Sequence, residues 1–204
     1  MRENRTSGSA RGVLGNRHSY REMPSMNMNK SDFENQFRKL IDKRIVQVRY
    51  YEIEYQDNEN MWSYDKRFDS LDYGLDLLTD DDSLFAISWG SEFYQYGISP
   101  DKNNLPKSNG CRFIDVTKTS RWSDFLNINI ADVRIAWSWI QEFGLFKKKI
   151  YYPQDLILSF ESQRKIFISA LQIENDDSFM GMTDNITVFF DGGTAKKFKV
   201  EIEA

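Results

Sequence analysis

The stretch Asp69–Pro100, DSLDYGLDLLTDDDSLFAISWGSEFYQYGISP, constrains this chain more than any other. Tyr73, Leu75 and Leu77 alternate with Asp72, Gly74 and Asp76, the period of two that gives a strand one buried face. Thr79-Asp80-Asp81-Asp82-Ser83 then breaks the pattern with turn-forming residues. Phe85, Ile87 and Trp89 resume it, Gly90-Ser91 interrupts it, and Phe93 to Ile98 forms another aromatic run. Phe68, Leu71, Leu75 and Leu78 also match helical spacing, but Gly74 weakens a helix interior and an acidic turn suits a hairpin. The stretch predicts three successive strands.

The flanking chain extends this pattern. Ser31 is placed to cap a short helix, with Glu34 three residues later and Phe33, Phe37, Leu40 and Ile41 as the apolar stripe, ending near Asp42. A long strand follows from Arg44 to Gln56. Val46, Val48 and Tyr50 keep one phase and Tyr51, Ile53 and Tyr55 the other, which predicts a bulge near Tyr50-Tyr51 or burial on both faces. Residues 57–68 read as a polar loop, Cys111 to Thr117 as a strand, Ser120 as the cap of a turn holding Trp122, and Asp132 to Ile140 as a strand. Leu156 to Phe160 and Phe167 to Ile173 form a hairpin around Glu161-Ser162-Gln163-Arg164. Ile186 to Phe190 and Phe198 to Ile202 form another around Asp191-Gly192-Gly193-Thr194. Successive hairpins predict an α+β, β-rich fold: a mainly antiparallel sheet, as a sandwich or open barrel of about nine strands, with one N-terminal helix.

A chain of 204 residues with 40% hydrophobic side chains supports a substantial core, expected as a single β-rich globular domain over residues 31–204. Residues 1–30 are rich in Arg, Ser, Asn and Gly and read as a disordered basic tail. Met26 and Met28 stand just before the structured region, so the tail reads as an upstream extension. It has no apolar core of a signal peptide, and no run approaches the roughly 18 to 20 apolar residues that span a membrane. Cys111 is the only cysteine, which excludes an intramolecular disulfide and a multi-cysteine zinc site. A cytoplasmic location is expected. The net charge is −4; residues 1–30 carry +4, so the rest carries −8. An acidic body argues against nucleic-acid backbone binding and is compatible with a basic protein partner.

Catalytic machinery is easier to exclude than to find. His18 is the only histidine and falls in the tail, which argues against Ser–His–Asp or Cys–His catalysis and against histidine metal sites. No phosphate-cradling glycine loop is present, and no cofactor is expected. Asp80, Asp81 and Asp82 could hold a hard cation through oxygen, but consecutive Asp side chains on a turn diverge, so they read as a solvated turn and no metal is expected. Asp176, Asp177 and Asp184 flank a second polar loop. A carboxylate-dependent hydrolase could draw on such loops, but nothing fixes two carboxylates at catalytic separation. Trp137 and Trp139 share a face with Val133 and Ile135, which places them in the core; the alternative is a ligand face where the rings stack on a sugar or another small molecule. Tyr94 and Tyr96 also share a face and suit a protein interface. Lys147-Lys148-Lys149 reads as a solvated loop.

Five segments carry a resemblance: Tyr50–Tyr55, Asp69–Ser99, Ala136–Ile140, Tyr151–Phe160 and Gly181–Asp191. Over residues 31–204 the chain resembles a group of uncharacterised small bacterial proteins, and in general style it is similar to immunity proteins of bacterial polymorphic-toxin systems. The resemblance implies a compact, acidic, cytoplasmic binder that blocks a cognate toxin without catalysis. It transfers no binding residue. The sequence reading is a non-catalytic protein-binding protein, an immunity-type inhibitor of a basic toxin domain, binding through Asp80–Asp82, Tyr94, Tyr96 and Asp176–Asp177. A β-sandwich module for a carbohydrate or small ligand is the alternative, and a hydrolase the second alternative.

Overall fold

Strands read from adjacent stretches of sequence belong to two different sheets. The computed structural model describes residues 28–54, 61–63, 65–106, 111–141, 148–174 and 177–200; the expected tail up to residue 27, and Asp176, lie outside them. Helix α1 (Lys30–Arg38) leads into strand β1 (Ile45–Ile53). Strands β2 (Phe68–Leu71), β3 (Gly74–Thr79), β4 (Leu84–Gly90), β5 (Gly97–Ser99) and β6 (Cys111–Asp115) follow. The second half supplies β7 (Ile130–Gln141), β8 (Lys149–Phe160), β9 (Lys165–Ser169) and β10 (Leu171–Ile173). Then come β11 (Phe179–Gly181), β12 (Ile186–Phe189) and helix α2 (Gly192–Lys197).

The strands lie in the order β5-β4-β3-β1-β6 in one five-stranded sheet and β2-β12-β9-β8-β7 in the other, with β10 and β11 paired separately. Every ladder is antiparallel. The sheets enclose a shared core in which Tyr50, Leu75 and Ile87 of the first belong to one cluster with Val133, Leu156 and Ile168 of the second, closed by Phe33 and Phe37 of α1. This is a β-rich sandwich, as expected. It has twelve strands among the described residues where about nine were expected, because β2 is a separate strand, β10 is split from β9, and β11 is a three-residue strand where a loop was expected.

Asp72 and Tyr73 carry the chain from β2 in one sheet to β3 in the other. Gly74 makes that passage possible. Its φ is +144°, and a Cβ there would stand 2.2 Å from the Ile87 carbonyl oxygen, so only glycine fits. The acidic turn closes the β3–β4 hairpin as expected: Thr79 N donates to the Ser83 carbonyl at 3.0 Å, and Asp82 takes a left-handed φ of 62°. Strand β1 is buried on both faces at Tyr50 and Tyr51; Tyr50 enters the shared core and Tyr51 packs with Ala86 and Leu105 on the outside of its sheet. The irregularity in its register lies at Ile45–Gln47, earlier than expected.

Three local expectations are corrected. Asn29 caps α1, its Oδ1 accepting from Asp32 N at 2.9 Å, so the helix starts before Ser31. The strand expected over 93–98 shrinks to β5, because Phe93 turns out of line to meet the Phe33 and Trp137 rings edge-on, with centroids at 5.2 and 4.8 Å. The expected hairpin at Asp191-Gly192-Gly193-Thr194 is the start of α2: Asp191 Oδ1 accepts from Thr194 N at 2.8 Å, a helix cap in place of a turn. Phe198 and Val200 then pack over the outer face of the second sheet with Ile157, Phe167 and Phe189.

Candidate functional site

Strands β7 and β8 run on past their neighbours. Strand β9 pairs with β8 only from Ser159 to Asp155, whereas β7 follows β8 out to Lys149. Pro153 occupies the point where the β9 ladder has ended and no donor is required. Along the extension Trp139 pairs across the ladder with Tyr151, and both rings stay open to solvent at 48% and 43% exposure. The core position expected for Trp139 is therefore corrected: the strand carries it beyond the sheets that would cover it. Trp137, two residues earlier, is half-buried against Phe33 and Phe93. Its Nε1 donates to Glu34 Oε1 of α1 at 2.9 Å.

Lysines sit on these rings. Lys149 Nζ stands 3.8 Å from the Trp139 ring centroid, and Lys30 Nζ lies 4.4 Å from that of Trp137 and 4.1 Å from that of Tyr151. An ammonium over an exposed ring is held by about 0.5–1 kcal/mol through the negative π face. The result is an aromatic surface with fixed positive charge on a chain whose net charge is −4. The sequence singled out Trp137 and Trp139 but not Tyr151 or Lys30, and Lys149 was expected in a solvated loop. That expectation is corrected, since Lys149 opens strand β8, while Lys147 lies outside the described residues.

Three of the acidic residues expected to form a binding surface, Asp80, Asp81 and Asp177, are engaged within the molecule. Arg44 Nε donates to Asp80 Oδ2 at 2.9 Å and its backbone N to Oδ1 at 3.1 Å. Asp81 pairs with Lys43 and accepts from Thr79 Oγ1 at 2.7 Å, contacts that hold its carboxyl well below the usual range. Asp82 is exposed at the tip. Asp177 accepts from Arg67 at 2.6 and 3.1 Å and from Lys197 Nζ at 2.6 Å, and those donors lower its pKa. The two acidic turns share no partner among these contacts. Tyr96 is half-buried, edge-on to Trp89 at 5.4 Å; Tyr94 is also half-buried.

Other carboxyls are buried at positions that carry no signal in the sequence. Tyr50 Oη donates to Asp69 Oδ2 at 2.7 Å and accepts from Trp122 Nε1 at 2.6 Å, while Arg121 pairs with the other Asp69 oxygen. Burial raises Asp69 to about 6 against the pull of Tyr50 and Arg121. Glu52 Oε1 accepts from Asp72 N at 3.2 Å, and burial, followed by the charge of Asp72, pushes it up to about 9. Glu52 is only 3% exposed, so this proton is sealed inside the fold and not presented to a substrate.

Among the described residues no group of three or more His, Cys, Asp and Glu side chains is placed to hold a metal ion, and no helix is long and apolar enough to cross a membrane. No family model, curated protein or solved structure matches the chain.

Proposed function

We propose that this protein is a non-catalytic binding protein that engages a protein partner through the projecting end of β7 and β8. The observation that carries the reading is the exposed Trp139–Tyr151 pair, each ring already carrying a lysine ammonium. Large amphipathic rings at the centre of a patch are the usual anchors of protein interfaces, contributing area at little conformational cost. Because Lys30 and Lys149 cover ring faces, a sugar would have to displace them before stacking. An acidic protein surface would instead meet their charge directly. Of the carboxylates expected to meet a basic partner, Asp80, Asp81 and Asp177 are already paired with Arg44, Lys43, Arg67 and Lys197, which leaves less free acid on that surface for such a partner. An immunity-type inhibitor is one binder of this kind, with its target presenting acid to the ribbon.

The test is quantitative capture from the source cell's lysate with the parent chain, Trp139→Ala/Tyr151→Ala, and Lys30→Glu/Lys149→Glu. One stoichiometric acidic protein, retained by the parent and reduced at least about tenfold with either double variant, is the expected result. Thermal unfolding of the variants should match the parent, since these side chains are half open to water. Capture of the same protein by all three chains would overturn the reading. Recovery of nucleic acid in place of protein would do so as well.

A further inference from the structure

The second sheet ends on a long edge. Four strands end the two five-stranded sheets: β5, β6 and β2 are three, five and four residues long, whereas β7 has twelve. Shortness protects an edge from unwanted pairing, and β7 lacks that protection. At its start the Ile130 N donates to the Lys43 carbonyl at 2.9 Å, and the Ile130 carbonyl accepts from Asp42 N at 2.9 Å. From Asp132 onward, no strand among the described residues pairs with the side of β7 that faces away from β8. A groove of about 480 Å³ runs there, lined by residues 132–135 and by Glu34, Arg38 and Ile41. Consecutive strand residues point to opposite faces, so a groove touched by all four follows the backbone edge itself.

The charges along this edge complement themselves. Asp132 is exposed and Arg134 half-buried, and among the described residues neither side chain has a hydrogen-bond or ion-pair partner. Arg38, across the groove, is already held by Glu34 at 3.2 Å. Two copies that meet edge to edge about a two-fold axis run antiparallel, and the position of the axis decides which residues stand opposite. An axis at Asp132 or at Arg134 sets like charges against each other. An axis at Ile135 or Ala136 sets both charges opposite Ser, Ala or Ile. An axis at Val133 sets Asp132 of each copy opposite Arg134 of the other, twice, at the cross-strand spacing where opposite charges attract.

Both ends of the segment limit the pairing. The bonds from Lys43 and Asp42 already occupy Ile130. At the other end Ala136 pairs with Asp155 and Trp137 with Pro153, so Gln154 is the extra residue of a β-bulge in β8. A bulge strengthens the local twist, which turns the ribbon carrying Trp139 and Tyr151 out of line with residues 132–135. The paired segment is therefore short, and the contact is smaller than that of a permanent dimer. We propose that this chain pairs reversibly with a second copy of itself, β7 to β7, with the two-fold axis at Val133. Each copy keeps its Trp139–Tyr151 ring pair outside the contact.

Sedimentation velocity of the full chain from about 1 to 300 µM should show reversible exchange between monomer and dimer, weakened by about 1 M salt. Asp132→Arg and Arg134→Asp each set like charges opposite one another at both positions, and each should raise the dissociation constant at least about tenfold. Mixed in equal amounts, the two variants meet as Arg against Asp, so the mixture should regain dimers. The double variant Asp132→Arg/Arg134→Asp should dimerise within about threefold of the parent. The salt response of the parent and the double variant carry the test if a single variant fails to fold. A parent that stays monomeric throughout, dimers indifferent to salt, single variants that pair like the parent, a double variant that pairs no better than the single ones, or a mixture that pairs no better than its components would each overturn the proposal.

Discussion

Glu52 links one side chain to the stability of the whole fold. In the unfolded chain its carboxyl titrates near 4.5, whereas burial beside Asp72 raises it to about 9 in the native state. Between those values the native protein holds a proton that the unfolded chain has lost, so stability falls as pH rises through this window. Glu52→Gln keeps an oxygen to accept from Asp72 N and removes the titration. Its stability advantage over the parent should grow between pH 6 and pH 9 by more than about 1 kcal/mol, read from urea unfolding at both values. Parallel pH profiles for parent and variant would show that Glu52 ionises normally. Asp69 adds a smaller slope of the same sign at lower pH, since its native value is about 6.

At the scale of elements, Gly74 is the tightest point. Gly74→Ala forces a Cβ against the Ile87 carbonyl at a backbone angle that L residues rarely adopt, and it should cost at least about 3 kcal/mol in urea unfolding. A cost below about 1 kcal/mol would mean that β3 and β4 can separate locally. The strands around Gly74 were legible because Leu75 and Leu77 alternate with Gly74 and Asp76, although β3 is buried on both faces and Asp76 is held by Arg49 on the far side. Helix α2 was not. Phe198 and Val200 alternate like a strand, but they cover the outer face of the second sheet, and Asp191 caps a helix with the same residues that could have made a turn. The ribbon was half legible: Trp137 and Trp139 stand out in sequence, but Tyr151 and Lys149 join them only through cross-strand register. The Gln154 bulge had no sequence signal, since a single extra residue leaves composition and turn chemistry unchanged.

At the scale of the molecule, the two sheets share one core, and Trp122 is fully buried within it. Tryptophan fluorescence and far-UV circular dichroism should therefore report the same urea midpoint. Separate midpoints would show that the sheets lose structure independently. The crossing at Asp72-Tyr73 also bears on the order in which the fold is reached. Strand β3 finds β4 a few residues away, but β2, joined to it, must wait for β12: Ser70 hydrogen-bonds to Asn185, 115 residues further along. During synthesis the first sheet can close while β2 still has no ladder partner, and the second sheet is completed only when residues 186–189 have emerged. Such a long closure slows folding and leaves an edge waiting. A nascent chain halted before Ile186 would carry β2 as an unpaired edge, open to pairing with its neighbours on the same message.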